Sequence, residues 1–172
     1  MWRGEAMTTI AEQDRFLALV EEHEKILYKV ASSYCRNPED RRDLIQEIVA
    51  QLWRSFGRFD ESYRFSTWMY KIAMNVAISF YRSQSRRTRG AVPIEESGLD
   101  LIAAEPEEAS DDVRLLHQFI GQLDELNRAV IILYLDGNSY DTIAEILGIS
   151  TTNVATKISR IKERLRRDFA GA

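Results

Sequence analysis

The chain has 172 residues, enough for one ordinary domain or two small ones, and 45% of them are hydrophobic, enough to build cores. Its longest apolar stretches, such as Ala129 to Leu135, fall far short of the roughly 20 residues that cross a bilayer, and no leader pattern precedes a cleavage site, so a cytoplasmic protein without membrane insertion is expected. The net charge of -4 does not exclude a nucleic-acid partner, because eight carboxylates lie between Glu95 and Asp112 without a Lys or Arg, while basic residues collect on either side.

Helical periodicity recurs along the chain and no segment alternates as a strand does, so the fold class is all-α. A first helix is expected from about Gln13 to Tyr34, with Phe16, Leu19, Val20, His23, Ile26, Leu27 and Val30 on one side. Arg36-Asn37-Pro38 then breaks the run. Cys35 is the single cysteine, and with only His23 and His117 to join it neither a disulfide framework nor a zinc site is available, so no metal or other cofactor is expected. The thiol reads as a buried small hydrophobe, with a redox sensor as the alternative. From Glu39 a second helix carries the stripe Leu44, Ile45, Ile48, Val49, Leu52, Trp53 and Phe56, closed by Gly57. Its outer face holds Asp43, Gln46, Glu47, Ala50 and Arg54, either a solvated surface or a seat for a partner helix.

Arg58 to Arg64 has no period and is expected to be a loop, with Ser66 capping a helix that runs to about Ser83. At 100° per residue Phe65, Met69, Ile72, Val76 and Phe80 lie within about 80° of one another, which marks a buried face. Trp68, Lys71, Asn75, Ile78 and Arg82 share another face. A stacking ring, an amide and two cations suit unpaired DNA, as do Phe59 and Tyr63 in the preceding loop. Taken singly, Trp68 also fits a core and Asn75 a plain surface. Arg82, Arg86, Arg87 and Arg89 form a basic cluster, and from Thr88 to about Asp111 the composition turns to Gly, Pro, Ala and acid, the mark of a linker.

Two further helices are expected, Asp112 to Leu123 and Asn127 to Tyr134, and then a closing pair. Ser139 can cap a helix through Leu147, Gly148 permits the left-handed turn, and Ser150 can cap the next helix, which together make a helix-turn-helix. Val154, Ile158, Ile161 and Leu165 fall within about 60° of each other and must pack inward. The opposite face carries Thr152, Ala155, Thr156, Ser159, Arg160, Glu163, Arg166 and Arg167, small polar groups and guanidiniums that suit phosphates and base edges. Lys157, Arg160, Lys162, Arg164, Arg166 and Arg167 form a second basic cluster, so two DNA-contacting modules on a tether are one reading and two solvated helix ends another.

Asp43-Leu44-Ile45-Gln46-Glu47, then Phe59-Asp60 and Phe65 through Asn75, closely resemble region 2 of extracytoplasmic-function sigma factors, and Ser139 to Gly148 with the helix through Leu165 resembles their region 4. The resemblance implies two small helical domains, region 2 at residues 10–87 and region 4 at 112–169, joined by a flexible acidic linker at 88–111. It implies a non-enzymatic transcription initiation factor whose partners are core RNA polymerase, promoter DNA and an anti-sigma factor. By similarity Asp43, Gln46, Glu47 and Arg54 would dock on the clamp helices of the largest polymerase subunit, with region 4 on the flap of the second-largest. Phe59, Asp60, Glu61, Ser62 and Tyr63 with Asn75 would capture a base flipped from the minus-ten element, with Trp68, Lys71 and Arg82 along the adjoining DNA. Thr152, Ala155, Thr156, Ser159 and Arg160 would read the minus-thirty-five element. Ala155 departs from the family, where a long basic residue is common, which moves readout toward a thymine methyl. The rivals are a dimeric helix-turn-helix regulator of duplex DNA, which leaves the Phe59 to Arg82 block unexplained, and a nucleic-acid-processing enzyme, for which Asp43 and Glu47 without a His partner make a poor metal site.

Overall fold

The computed structural model describes residues 10–89 and 110–170, and the regular elements among them are all helices. The first half contains α1 (Ile10–Glu22), α2 (Glu24–Tyr34), α3 (Pro38–Phe56) and α4 (Phe65–Arg89). The second contains α5 (Asp111–Gly121), α6 (Glu125–Leu135), α7 (Tyr140–Leu147) and α8 (Thr151–Ala170). Most of the expected linker, residues 90–109, lies outside the described residues.

The single helix expected over Gln13 to Tyr34 is two helices. His23 Nδ1 sits 2.9 Å from the Leu19 carbonyl, which an unbroken helix would offer to the His23 amide. That amide instead donates to Val20 at 3.2 Å, and the backbone turns. Periodicity is blind to this break because Phe16, Leu27 and Val30 all remain buried in the same core. α3 starts where its chemistry directs: Asn37 accepts from the Glu39 amide at 2.8 Å and Pro38 takes the first helical position. Its stripe Leu44, Ile48 and Leu52 is fully buried.

α4 differs from expectation at three points. It begins at Phe65, so Ser66 lies inside the first turn and does not cap it; the Trp68 amide reaches back to Arg64 at 3.2 Å. It runs on through Arg89, past both Ser83 and the boundary expected at Thr88. Its buried residues are Phe65, Met69, Tyr70, Ala73, Met74 and Ala77, while Ile72, Val76 and Phe80 are only half-buried. Helices approach closest over small side chains, so the inner face is rotated toward Ala73 and Ala77, which carry little weight in a hydrophobic pattern.

In the second half Asp124 accepts from the Asn127 amide at 2.9 Å and starts α6 two residues before the expected Asn127. Ala129 to Leu133 are all buried because α6 packs on α5, α7, α8 and α4. The helix-turn-helix forms as expected. Ser139 accepts from the Thr142 amide and Ser150 from the Asn153 amide, each at 3.1 Å, and Gly148 takes φ 66°. Val154, Ile158 and Ile161 are buried and Leu165 packs against the same core.

Nothing lies within 4 Å of a β-carbon built on Gly148, so only its left-handed backbone opposes a side chain. Gly148→Ala is expected to cost about 1–2 kcal/mol, whereas Leu52→Ala, with its side chain fully buried, is expected to cost about 2–5 kcal/mol. Urea unfolding of the two variants against wild type checks both the values and their order.

Candidate nucleic-acid interface

Asp43, Gln46, Glu47 and Arg54 are all exposed on α3, opposite its buried stripe, and no other described helix covers them. Arg54 Nη1 reaches Gln51 Oε1 at 3.1 Å and lies 3.8 Å from Glu47. These exposed pairs add little stability, which leaves the face available for a partner.

The loop after α3 is anchored by aromatic packing. Phe59 stacks parallel to Phe56 at 6.2 Å, meets Phe65 edge-on at 5.4 Å and lies 5.0 Å from Trp68. Such pairs contribute about 0.5–1.5 kcal/mol each beyond area burial, so Phe59 and Trp68 set the shape of the loop as well as its surface. Asp60 turns the loop tip by accepting from the Ser62 amide at 2.9 Å, and that bond, with the Ser62 hydroxyl, holds its carboxyl below the usual carboxylate range. Glu61 is paired with Arg15 of α1. Tyr63 remains exposed.

These residues enclose a pocket of about 280 Å³ lined by Arg58, Phe59, Asp60, Tyr63, Thr67, Trp68 and Lys71 on one side and by Glu145 and Ile146 of α7 on the other. The structure thus brings together Phe59, Asp60, Tyr63, Trp68 and Lys71 from the expected set. Asn75 is exposed one turn further along α4 and does not line this pocket. Arg82 lies further still and is engaged elsewhere, its Nε donating to Glu125 Oε1 at 2.7 Å, which holds the Glu125 carboxyl below its ordinary range. Arg58, Thr67 and the α7 residues were not singled out from the sequence. Arg58 was within the expected loop, but nothing local links α7 to it.

On α8, Thr152, Thr156, Ser159 and Arg160 are exposed and Ala155 is half-buried. The second basic cluster separates into two groups. Lys157 reaches Asn127 at 3.3 Å, Lys162 donates to the Tyr134 hydroxyl at 2.7 Å and lies over its ring, and Arg164 sits over Phe119. These three brace the second half internally, whereas Arg160, Arg166 and Arg167 face outward with the short polar side chains. Spacing alone cannot make that distinction, because Lys157 and Arg160 are neighbours one turn apart.

Among the described residues no cluster of three or more His, Cys, Asp or Glu is placed to hold a metal, and no helix is long and apolar enough to cross a membrane. Cys35 is buried, and burial, with the carboxylates of Asp40 and Asp43 adding to it, pushes its thiol up to about 11.

The matches to known proteins follow the same division. Residues 19–87 match the family Sigma-70 region 2 and residues 114–165 match Sigma-70, region 4. An ECF RNA polymerase sigma factor of Bacillus subtilis, SigW, is 30% identical over 171 residues, covering 92% of this chain and 90% of that one. The ECF RNA polymerase sigma-E factor of Haemophilus influenzae is 30% identical over 137 residues, 73% of this chain and 72% of its own. Among solved structures, the sigma factor RpoE bound to the anti-sigma factor NepR, from Bartonella quintana, shares the fold with a TM-score of 0.70 at 23% identity, covering 92% of this chain and 96% of that one. CnrH, in complex with the cytosolic domain of CnrY, gives 0.66 at 23% identity, covering 92% and 90%.

With its thiol at about 11, about one Cys35 in a thousand is ionised at pH 8. A thiol-specific reagent is therefore expected to label the native protein far more slowly than the protein in 8 M urea. Rapid native labelling would favour the redox-sensor alternative.

Proposed function

The chain belongs to the extracytoplasmic-function group of sigma-70 factors, and we propose how its two halves divide the work of promoter recognition. It directs RNA polymerase to specific promoters through region 2 and region 4. The observation that carries the residue-level reading is the pocket between Phe59, Asp60, Tyr63, Trp68 and Lys71, a concave site with aromatic walls and two cations, Arg58 and Lys71, beside an ordered loop. A base flipped from the minus-ten element enters this pocket, Tyr63 and Trp68 supply stacking surface, and Lys71 supports the adjoining phosphates. Asn75, one turn away, contacts a neighbouring base or sugar. Unstacking costs a few kcal/mol per base, which stacking on aromatic rings is able to offset.

Region 4 lays α8 in the major groove. Arg160 with Thr156 and Ser159 reads base edges, Thr152 and Ala155 sit at close approach, and Arg166 and Arg167 hold phosphates. The α3 face with Asp43, Gln46, Glu47 and Arg54 docks on the clamp helices of the largest polymerase subunit, and region 4 on the flap of the second-largest. Each half alone binds DNA weakly, and attachment of both to one polymerase raises the effective concentration of the second contact. This work needs positioning and electrostatics and no bond-making by the chain itself. We place the protein in the cytoplasm, where polymerase acts, and assign it an anti-sigma partner, as the solved RpoE of Bartonella quintana has. The dimeric duplex-binding regulator is not favoured, since it leaves the region 2 match without a role.

The test is transcription in vitro with core RNA polymerase on a pool of promoter fragments. Wild type is expected to yield promoter-specific transcripts, Asn75→Ala fewer, and Arg160→Ala a loss of about 5- to 150-fold confined to promoters that share one base in the minus-thirty-five element. Arg166→Ala is expected to weaken all promoters alike and to reduce the salt dependence by about one ion. Absence of transcripts together with tight duplex binding by the protein alone would return the regulator reading.

A further inference from the structure

Both carboxylates of the loop between α3 and α4 are engaged in shaping it. Asp60 accepts from the Ser62 amide and turns the tip. Glu61 reaches instead to α1, where its Oε1 accepts from the Arg15 guanidinium. Arg15 is itself held in place by its neighbour in sequence. Phe16 is buried, its ring 4.9 Å from that of Trp53 and 5.1 Å from that of Phe56, which fixes α1 against α3. The Arg15 guanidinium carbon lies 5.6 Å from the centre of the Phe56 ring, and Phe59, at the start of the loop, stacks on that same ring at 6.2 Å. One cation thus contacts the aromatic base of the loop and also bonds its tip.

The loop is a thin wall between two concavities. Phe59 and Tyr63 line the base pocket beside Trp68 and Lys71. They also line an open groove of about 390 Å³ against Arg15, Ala18, Leu19 and Glu22 of α1. The tip residues, Asp60 to Tyr63, are all exposed, so packing alone does not hold them. The bond from Arg15 to Glu61 spans the groove and sets how far the tip stands from α1, and with it the width of the pocket on the other side.

We propose that Arg15 and Glu61 are a positioning pair for the minus-ten loop: their bond across the groove holds Tyr63 at the depth beside Trp68 and Lys71 that a flipped base needs. The inference rests on the promoter-binding reading above and deepens it, giving Glu61 a supporting role and adding Arg15 from a helix outside the loop. Exposed ion pairs stabilise little, and the loop captures a base in proportion to the time its tip is in place, so the effect is a few-fold one. A phosphate contact by Arg15 behaves differently, because such contacts carry no sequence information and act on all templates alike.

The test uses holoenzyme assembled from core RNA polymerase and the full chain. On a promoter that the wild type transcribes, each base of the minus-ten element is replaced in turn by an abasic site, first on one strand and then on the other. The base whose removal costs most transcript defines an intact-to-abasic ratio. Arg15→Gln and Glu61→Gln are each expected to lower that ratio about two- to fivefold, with the yield on the abasic template unchanged. Arg15→Glu combined with Glu61→Arg keeps the net charge and restores the pair with reversed sign, and is expected to give a ratio above that of either single variant. Thermal unfolding establishes that the variants fold, and either single variant carries the comparison without the other. A ratio unchanged in both single variants overturns the proposal. So does an equal loss on intact and abasic templates, which marks a phosphate contact or a merely structural role, and so does a double variant no better than the single ones. A wild type that loses nothing at any abasic position overturns the promoter reading and this inference with it, so the two failures are distinguishable.

Discussion

Helix α4 buries Met69, Ala73, Met74 and Ala77, and four other helices pack on it. It packs on α2 and α3 from its own half and on α6 and α7 from the other. The same helix carries Trp68, Lys71, Asn75 and Arg82, the residues proposed above to meet DNA. A helix with its side chains is only about 10–12 Å across, so these two demands share one cylinder. Where α7 and α6 lie along it, part of the polar face is covered or paired, as with the pocket wall at Glu145 and the Arg82 bond to Glu125.

The chemistry of the junction determines whether such packing is reversible. Around Asp136, Glu125 and Arg128 the bonds between the halves are polar. Each is exchanged for a bond to water on opening, so its net worth is modest, and the apolar residues that the two halves bury in one shared core hold them together besides. Arg128 shows the balance. Its guanidinium is buried, donates to the carbonyls of Ser33, Gly121 and Leu123, and lies over the rings of Tyr34 and Tyr81, yet the described residues offer its Nε no acceptor. A buried cation without a carboxylate is costly. Two of its bonds stay within the second half and hold the end of α5, so separation of the halves would lose only the bond to Ser33 and the tyrosine faces.

The loop before α4 follows the opposite logic. Phe56, Phe59, Phe65 and Trp68 pack on one another, so the walls of the pocket are held before any ligand arrives. Pre-ordering of this kind lowers the entropy that binding must overcome. Electrostatics are sorted in the same manner on α8, where Lys157, Lys162 and Arg164 brace the fold and Arg160, Arg166 and Arg167 face outward. An overall charge of -4 therefore coexists with a locally basic surface.

The sequence by itself determined the all-helical class, the helix-turn-helix with its Ser139 and Ser150 caps and left-handed Gly148, the inner stripes of α3 and α8, and the outward placing of Arg160 and of the α3 carboxylates. All of these follow from chemistry within one or two turns, where cap, period and glycine conformation act on immediate neighbours. Tertiary structure decided the break at His23, where a side chain takes a backbone acceptor, and the rotation of α4 toward Ala73 and Ala77, where closeness of approach outweighs hydropathy. It also decided the roles of Lys29, Tyr70, Glu125 and Asp136. Their pairings span 43 residues or more along the chain, and a carboxylate just beyond a helix end carries no local sign of which distant hydroxyl or ammonium it will meet.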